Sequence, residues 1–175
     1  MRTLESHIHE AMKIGKNLSK FSAYSCLPKN RDELIEIIRE RLYKEGSKCD
    51  LNDIDVSLVD DLSGVFSGTV FNGDVSRWNT SNTKYMTWMF YKSYFNGDIS
   101  RWDLSNVKST AHMFSGSHFN QDISKWNVSN VTDMSCMFKG SKFDKDISNW
   151  KINKVCDTHN MFIDCSIRDE FKPVF

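Results

Sequence analysis

His7, His9 and Glu10 place two imidazoles and a carboxylate within four residues, a grouping that could hold a metal ion. His9-Glu10 begins like the zinc-protease H-E-x-x-H helix, but Lys13 stands where the second histidine is needed. His7 and His9 are two apart, so on a helix they face different directions and are expected to be surface side chains. The five cysteines, Cys26, Cys49, Cys136, Cys156 and Cys165, include no C-x-x-C pair. Neither a zinc knuckle nor a disulfide framework is signalled, and reduced thiols in a reducing compartment are expected. Nothing supplies a nucleophile–base pair, a phosphate loop or a metal cluster. The expectation is a chain that is not an enzyme and takes no cofactor.

Other candidate groups recur at a constant interval. Asp74, Asp98, Asp122 and Asp146 are 24 apart, as are Trp78, Trp102, Trp126 and Trp150. Units in register would set the carboxylates about 5 Å apart, near strand spacing. The expected role is that each caps its own turn by accepting backbone N–H bonds, with a cation ladder or a basic partner as the alternative. The tryptophans could form a carbohydrate platform, but their phase with Leu104 and Val128 places them in a core. The pairs Ser81-Asn82, Ser105-Asn106 and Ser129-Asn130 are expected to form internal ladders.

The interval is structural. Phe66, Phe90, Phe114, Phe138 and Phe162 share it, and so do Phe71, Phe95, Phe119 and Phe143. Trp102 and Leu104 are two apart, the spacing of one strand face. Met134, Met137 and Phe138 have the spacing of one helical turn. The prediction is an α/β repeat solenoid: about five 24-residue strand/short-helix coils over residues 51–165. An N-terminal two-helix cap is expected over residues 1–50 and a capping tail over 166–175. Asn30 with Glu33 is a capping-box pattern, followed by the stripe Leu34, Ile37, Ile38, Leu42. Leu4, Ile8, Ala11, Met12 and Leu18 form a weaker upstream stripe.

The strings FNGDISRWDLSNV and NVTDMSCMFKGSKF resemble a tandem-repeat family of unknown function found in bacterial surface lipoproteins and grouped with the BspA-like leucine-rich-repeat proteins. Ile99, Trp102 and Leu104 are similar to the L-x-x-L-x-L strand of that repeat. The resemblance implies a leucine-rich-repeat-like architecture and binding to other macromolecules, and it brings no catalytic residues. Similar short, leaderless arrays also look like phage or mobile-element proteins.

Lysine plus arginine equals aspartate plus glutamate at 23 each. A nucleic-acid binder normally carries a basic excess, so direct nucleic-acid binding is not expected. The N-terminus lacks the apolar run of a signal peptide, and no stretch reaches the length of a membrane span. A cytoplasmic monomer is expected. The candidate partner surface is the exposed strand face, with Arg77, Arg101 and Lys125 in one column and Asn79, Asp103, Asn127 and Lys151 in the next. The expected function is a non-enzymatic protein–protein interaction module. The alternatives are a phage or mobile-element inhibitor that blocks a host defence or nucleic-acid complex, and a structural or adhesive repeat protein.

Overall fold

The computed structural model describes residues 25–174. The upstream stripe from Leu4 to Leu18 and the His7, His9, Glu10 group lie outside the described residues. One α-helix is present among them, α1 (Arg31–Glu45). Its start follows the capping logic of the sequence. Asn30 accepts the Glu33 N–H through its side chain, and the Glu33 carboxylate takes the Lys29 N–H at 2.9 Å. Gly46, at φ 84°, ends the helix and donates its N–H to Leu42 O. Leu34 and Ile38 are buried in the core, and Arg41 clamps Asp53 through two bonds of 2.9 and 3.1 Å. The expected two-helix cap is therefore corrected to one described helix.

The expectation of an α/β solenoid with leucine-rich-repeat-like coils is also overturned. The described residues hold no extended strand and no sheet, and beyond α1 only a short 3-10 turn at Asp169–Phe171. Isolated parallel bridges join each unit to the next: Asp61 to Tyr85, Tyr85 to Ser109, Ser109 to Asp133, and Asp133 to Asp157. The expected strand around Trp102 is cut by two turns. Trp102 N–H closes back on Ile99 O and Val107 N–H on Leu104 O. Asp98 and Asp103 hold those turns by accepting the N–H groups of Ser100 and Ser105.

The expected helical turn is a run of β-turns. The N–H groups of Met86, Trp88, Phe90 and Lys92 donate to the next unit, at Ser109, Ala111, Met113 and Ser115 O, over 2.9–3.0 Å. Those of Met89, Tyr91 and Ser93 close turns on Met86, Trp88 and Phe90 O. An α-helix spends every N–H on its own i−4 carbonyl and has none to offer sideways. Here alternate N–H groups are committed sideways, so a helix cannot form. The turns closed by Met89 and Ser93 carry a positive φ at their third residue, Trp88 and Lys92, as type II turns require. Two columns meet that need: Gly64, Trp88, His112, Cys136 and Asn160, then Gly68, Lys92, Gly116, Gly140 and Asp164.

The core lies inside this column of turns. Phe66, Phe90, Phe114, Phe138 and Phe162 stack in series at 5.4–5.8 Å, with ring planes within 12° of parallel. Phe71, Phe95, Phe119 and Phe143 form a second series at 5.8–6.2 Å. Offset stacking of this kind adds about 0.5–1.5 kcal/mol per pair beyond area burial. The four tryptophans that share the 24-residue interval close the third side, only 3–4% exposed. Each spends its indole N–H on the unit before: Trp78 on Leu51 O, Trp102 on Val75 O, Trp126 on Ile99 O and Trp150 on Ile123 O. They are core side chains rather than a platform.

Candidate functional site

The seven residues singled out from the sequence are all exposed and stand in the expected columns. Their polar atoms are partly committed. Asn79, Asp103 and Asn127 each accept the N–H of the serine two residues on, holding the turn that follows. Arg77 reaches Asp50 at 3.9 Å, an exposed pair worth under about 1 kcal/mol. Ser76, Arg77, Trp78, Asp98 and Arg101 line a shallow hollow of about 260 Å³. A basic column thus stands beside a mixed polar one on this face, and much of the polarity serves the backbone.

The aspartate column does what was expected of it. Asp74, Asp98, Asp122 and Asp146 accept the N–H groups of Ser76, Ser100, Ser124 and Ser148 at 2.8–2.9 Å. The Ser-Asn pairs also form ladders: Asn82, Asn106 and Asn130 donate to Ser57, Ser81 and Ser105 O. A further asparagine ladder runs along the corner, where Asn96, Asn120 and Asp144 N–H groups donate to Asn72, Asn96 and Asn120. No group of three or more His, Cys, Asp or Glu suited to a metal occurs among the described residues.

These bonds predict the acid response. Burial pushes the Asp74 carboxyl up, but bonds from Ser76 and Asn52 outweigh it and hold it below the usual range. The Ser124 N–H holds Asp122 down, and the Ser148 hydroxyl and N–H do the same for Asp146. A carboxylate depressed in the folded state contributes stability above its unfolded pKa, lost as pH falls through the folded value. His112 is also depressed, by burial and then by Lys139. Its neutral form is favoured on folding, so it too lowers stability once the pH drops below about 6.5, the unperturbed value. Melting temperature should therefore decline gently from pH 7 to about 5 and steeply below about 4. A melting temperature flat from pH 7 to 3 would refute both assignments.

A different face carries the more unusual chemistry. Trp88 is the one tryptophan outside the 24-residue column, and Tyr85, Tyr91 and Tyr94 surround it in sequence. Trp88 is 40% exposed, Tyr85 46% and Tyr94 57%. The Trp88 ring stacks on His112 of the next unit at 4.2 Å, and Tyr91 meets its edge at 4.6 Å. Tyr94 stacks on His118 at 4.6 Å, and Lys92 Nζ lies 5.2 Å from the Tyr91 centroid. Trp88 holds φ 62° and Lys92 φ 50°, where the unit before has Gly64 and Gly68. A left-handed residue with a Cβ costs about 1–2 kcal/mol. His112 shares that conformation at φ 56°, so the left-handed positions are a property of the turn that all later units repeat. The signal for the exposed indole was legible: a fifth tryptophan out of phase with the other four has no place in the core.

The repeat sequence is matched by a family model described as Mycoplasma protein of unknown function, DUF285, over residues 39–139 and 112–170. The chain belongs to this family. The overlap of the two matches is what a sequence repeating in phase produces. No curated protein and no solved structure matches the chain. Among the described residues no helix is long and apolar enough to cross a membrane.

Proposed function

We propose that the chain is a non-enzymatic protein-binding module whose contact surface is the aromatic turn face around Trp88. One observation carries this: a tryptophan that packs in no core is kept exposed at a strained backbone position, with its ring fixed by His112 and Tyr91. The positive φ itself recurs through the repeat, at His112, Cys136 and Asn160, so what sets Trp88 apart is the exposed, fixed indole. A fixed, half-exposed indole binds with little loss of rotamer freedom, and tryptophan is enriched among binding hot spots. The repeated polar groups, by contrast, are spent on turns and ladders, which leaves little for catalysis. The likeness to BspA-like repeat proteins points toward macromolecular partners as well. Five unpaired thiols fit a reducing, cytoplasmic setting.

The test is a comparison of three baits in extracts of the native host: wild type, Trp88→Gly, and Arg101→Glu with Lys125→Glu. Glycine already occupies the equivalent position 64, so the first variant should keep the fold and its melting temperature. A protein retained by wild type and by the double reversal, but lost from Trp88→Gly, is the expected result. Retention unaffected by Trp88→Gly but abolished by the double reversal moves the site to the Arg101 column. No specific protein on any bait defeats the reading.

A further inference from the structure

Trp88 stands on a step. His112 of the next unit covers one face of its ring at 4.2 Å, while the residue in register on the other side is Gly64, which has no side chain. A Cβ added at Gly64 would meet only Arg31 Nη2, at 3.9 Å, and one added at Gly68 would meet nothing within 4 Å. The open face of the indole therefore looks over a bare shelf. Tyr91 fixes one edge of the ring at 4.6 Å, and Tyr85 and Tyr94, both exposed, continue the aromatic row along the same unit.

Hydrogen bonding along this row is one-sided. Each of the four core tryptophans donates its indole N–H to a carbonyl. The Trp88 indole N–H, the hydroxyls of Tyr85, Tyr91 and Tyr94, and Arg31 Nη2 form no hydrogen bond within the described residues. The acceptors beside the step are engaged. Asp61 takes the Ser63 N–H at 2.8 Å, Asp60 pairs with Lys84 at 3.1 Å, and Ser63 O takes Arg31 Nε. The carbonyls of Tyr85, Thr87, Met89 and Tyr91 accept from the unit before. Charge selects neither sign, because Asp60 and Asp61 stand beside Lys84, Lys92 and Arg31. The step offers donors and flat rings to a neutral ligand that brings acceptors.

Resting on the protein-binding reading, we infer that the step accepts a proline-rich polypeptide segment in the polyproline II conformation. A proline ring lies on the open indole face above Gly64, and carbonyls of the segment accept from Trp88 Nε1 and the neighbouring tyrosine hydroxyls. Such a segment brings acceptors without donors: proline has no N–H, and the polyproline helix bonds none of its carbonyls internally. It is preformed, so docking it on fixed rings loses little conformational entropy, the general basis of proline-rich recognition by aromatic-lined grooves. Other occupants fit less well. A strand cannot add here, because the N–H groups of Met86, Trp88, Phe90 and Lys92 are committed to the next unit. An amphipathic helix needs a continuous apolar groove, which Gly64, Ser67 and Gly68 do not supply. An oligosaccharide brings donors as well as acceptors, and the carboxylates that would receive them are engaged.

Fluorescence anisotropy on the full chain tests the inference with three probes. They are labelled decaproline, a neutral peptide of alternating alanine and serine of the same length, and a labelled cello-oligosaccharide. Decaproline should bind at least about tenfold more tightly than the alanine–serine peptide, and the ratio should hold as salt rises, since no charge is paired. Trp88→Gly should weaken decaproline binding about tenfold or more, as loss of a hot-spot aromatic does. Trp88→Phe keeps a ring but loses the N–H, and its affinity should fall between those of wild type and Trp88→Gly. Arg101→Glu with Lys125→Glu, on the polar face, should leave binding unchanged. Equal binding or no binding of the two peptides, or decaproline binding indifferent to Trp88→Gly, overturns the inference. Tighter binding of the cello-oligosaccharide overturns it in favour of a sugar. The bait comparison is scored separately: a Trp88-dependent protein partner together with failure of decaproline removes this inference and leaves the protein-binding reading standing.

Discussion

Trp102→Ala should destabilise the protein by about 3–5 kcal/mol, the cost of removing a buried aromatic. The ring is 3% exposed, stacks on Trp78 at 6.2 Å and on Phe90 at 6.1 Å, and donates its indole N–H to Val75 O at 3.1 Å. Alanine would open a cavity in the middle of the column and leave the Val75 carbonyl with the Trp78 N–H alone. For a chain of this size the melting temperature should fall by roughly 10 °C or more. Trp102→Phe separates the two contributions. It keeps most of the stack and loses only the indole bond, so about 1–2 kcal/mol is expected. A surface tryptophan would lose almost nothing in either variant, and an unchanged melting temperature would sink the core assignment. Trp88→Gly is the internal control, because its indole fills no core and its backbone position favours glycine.

The contrast between those two tryptophans shows which parts of the molecule were legible. Period carried the core. Trp102, Phe90 and Phe95 recur every 24 residues, and side chains in register on stacked units must meet their own copies. The caps were equally legible, since Asn30 with Glu33 and Asp98 with Ser100 are local bonds between near neighbours. Secondary structure was not, because spacing alone does not separate a helix from a run of β-turns. Met134, Met137 and Phe138 point inward in either case. The deciding fact is where alternate N–H groups go, and Met134 donates to Asp157 of the next unit. Trp88, His112 and Cys136 at positive φ also hid the turns, since glycine marks that position only in the first unit. The exposure of the polar columns was legible, but the bonds of Asn79 and Asp103 to the N–H groups of Ser81 and Ser105 were not, because they depend on turn geometry.

Gly73→Ala should cost more than about 3 kcal/mol, while the same change at Gly97 should cost far less. A methyl at Gly73 would stand 2.0 Å from Cys49 O and 3.0 Å from Cys49 C, both backbone atoms of the segment that leaves α1. Neither can rotate away. Relief requires the loop from Gly46 to Asp50 to lift off the first unit. That would strain three bonds at once: Asn72 N–H to Ser47 O, Asp74 N–H to Cys49 O, and Leu51 N–H to Asp74 O. It would also disturb the seat of α1, whose Leu34 and Ile38 are buried against the same core. At Gly97 the close contacts are Phe95 ring atoms at 2.8 and 2.9 Å, with Gly73 O at 3.1 Å. A ring can shift by the few tenths of an ångström required. The later units make the point directly, since Gln121 and Lys145 occupy the equivalent position. Chemical denaturation of both variants decides the matter. A large loss at Gly73 with a small one at Gly97 places the tightest backbone contact between the helix-exit loop and the first unit. Equal losses would mean that this loop yields as easily as a phenyl ring, and that α1 is not rigidly seated.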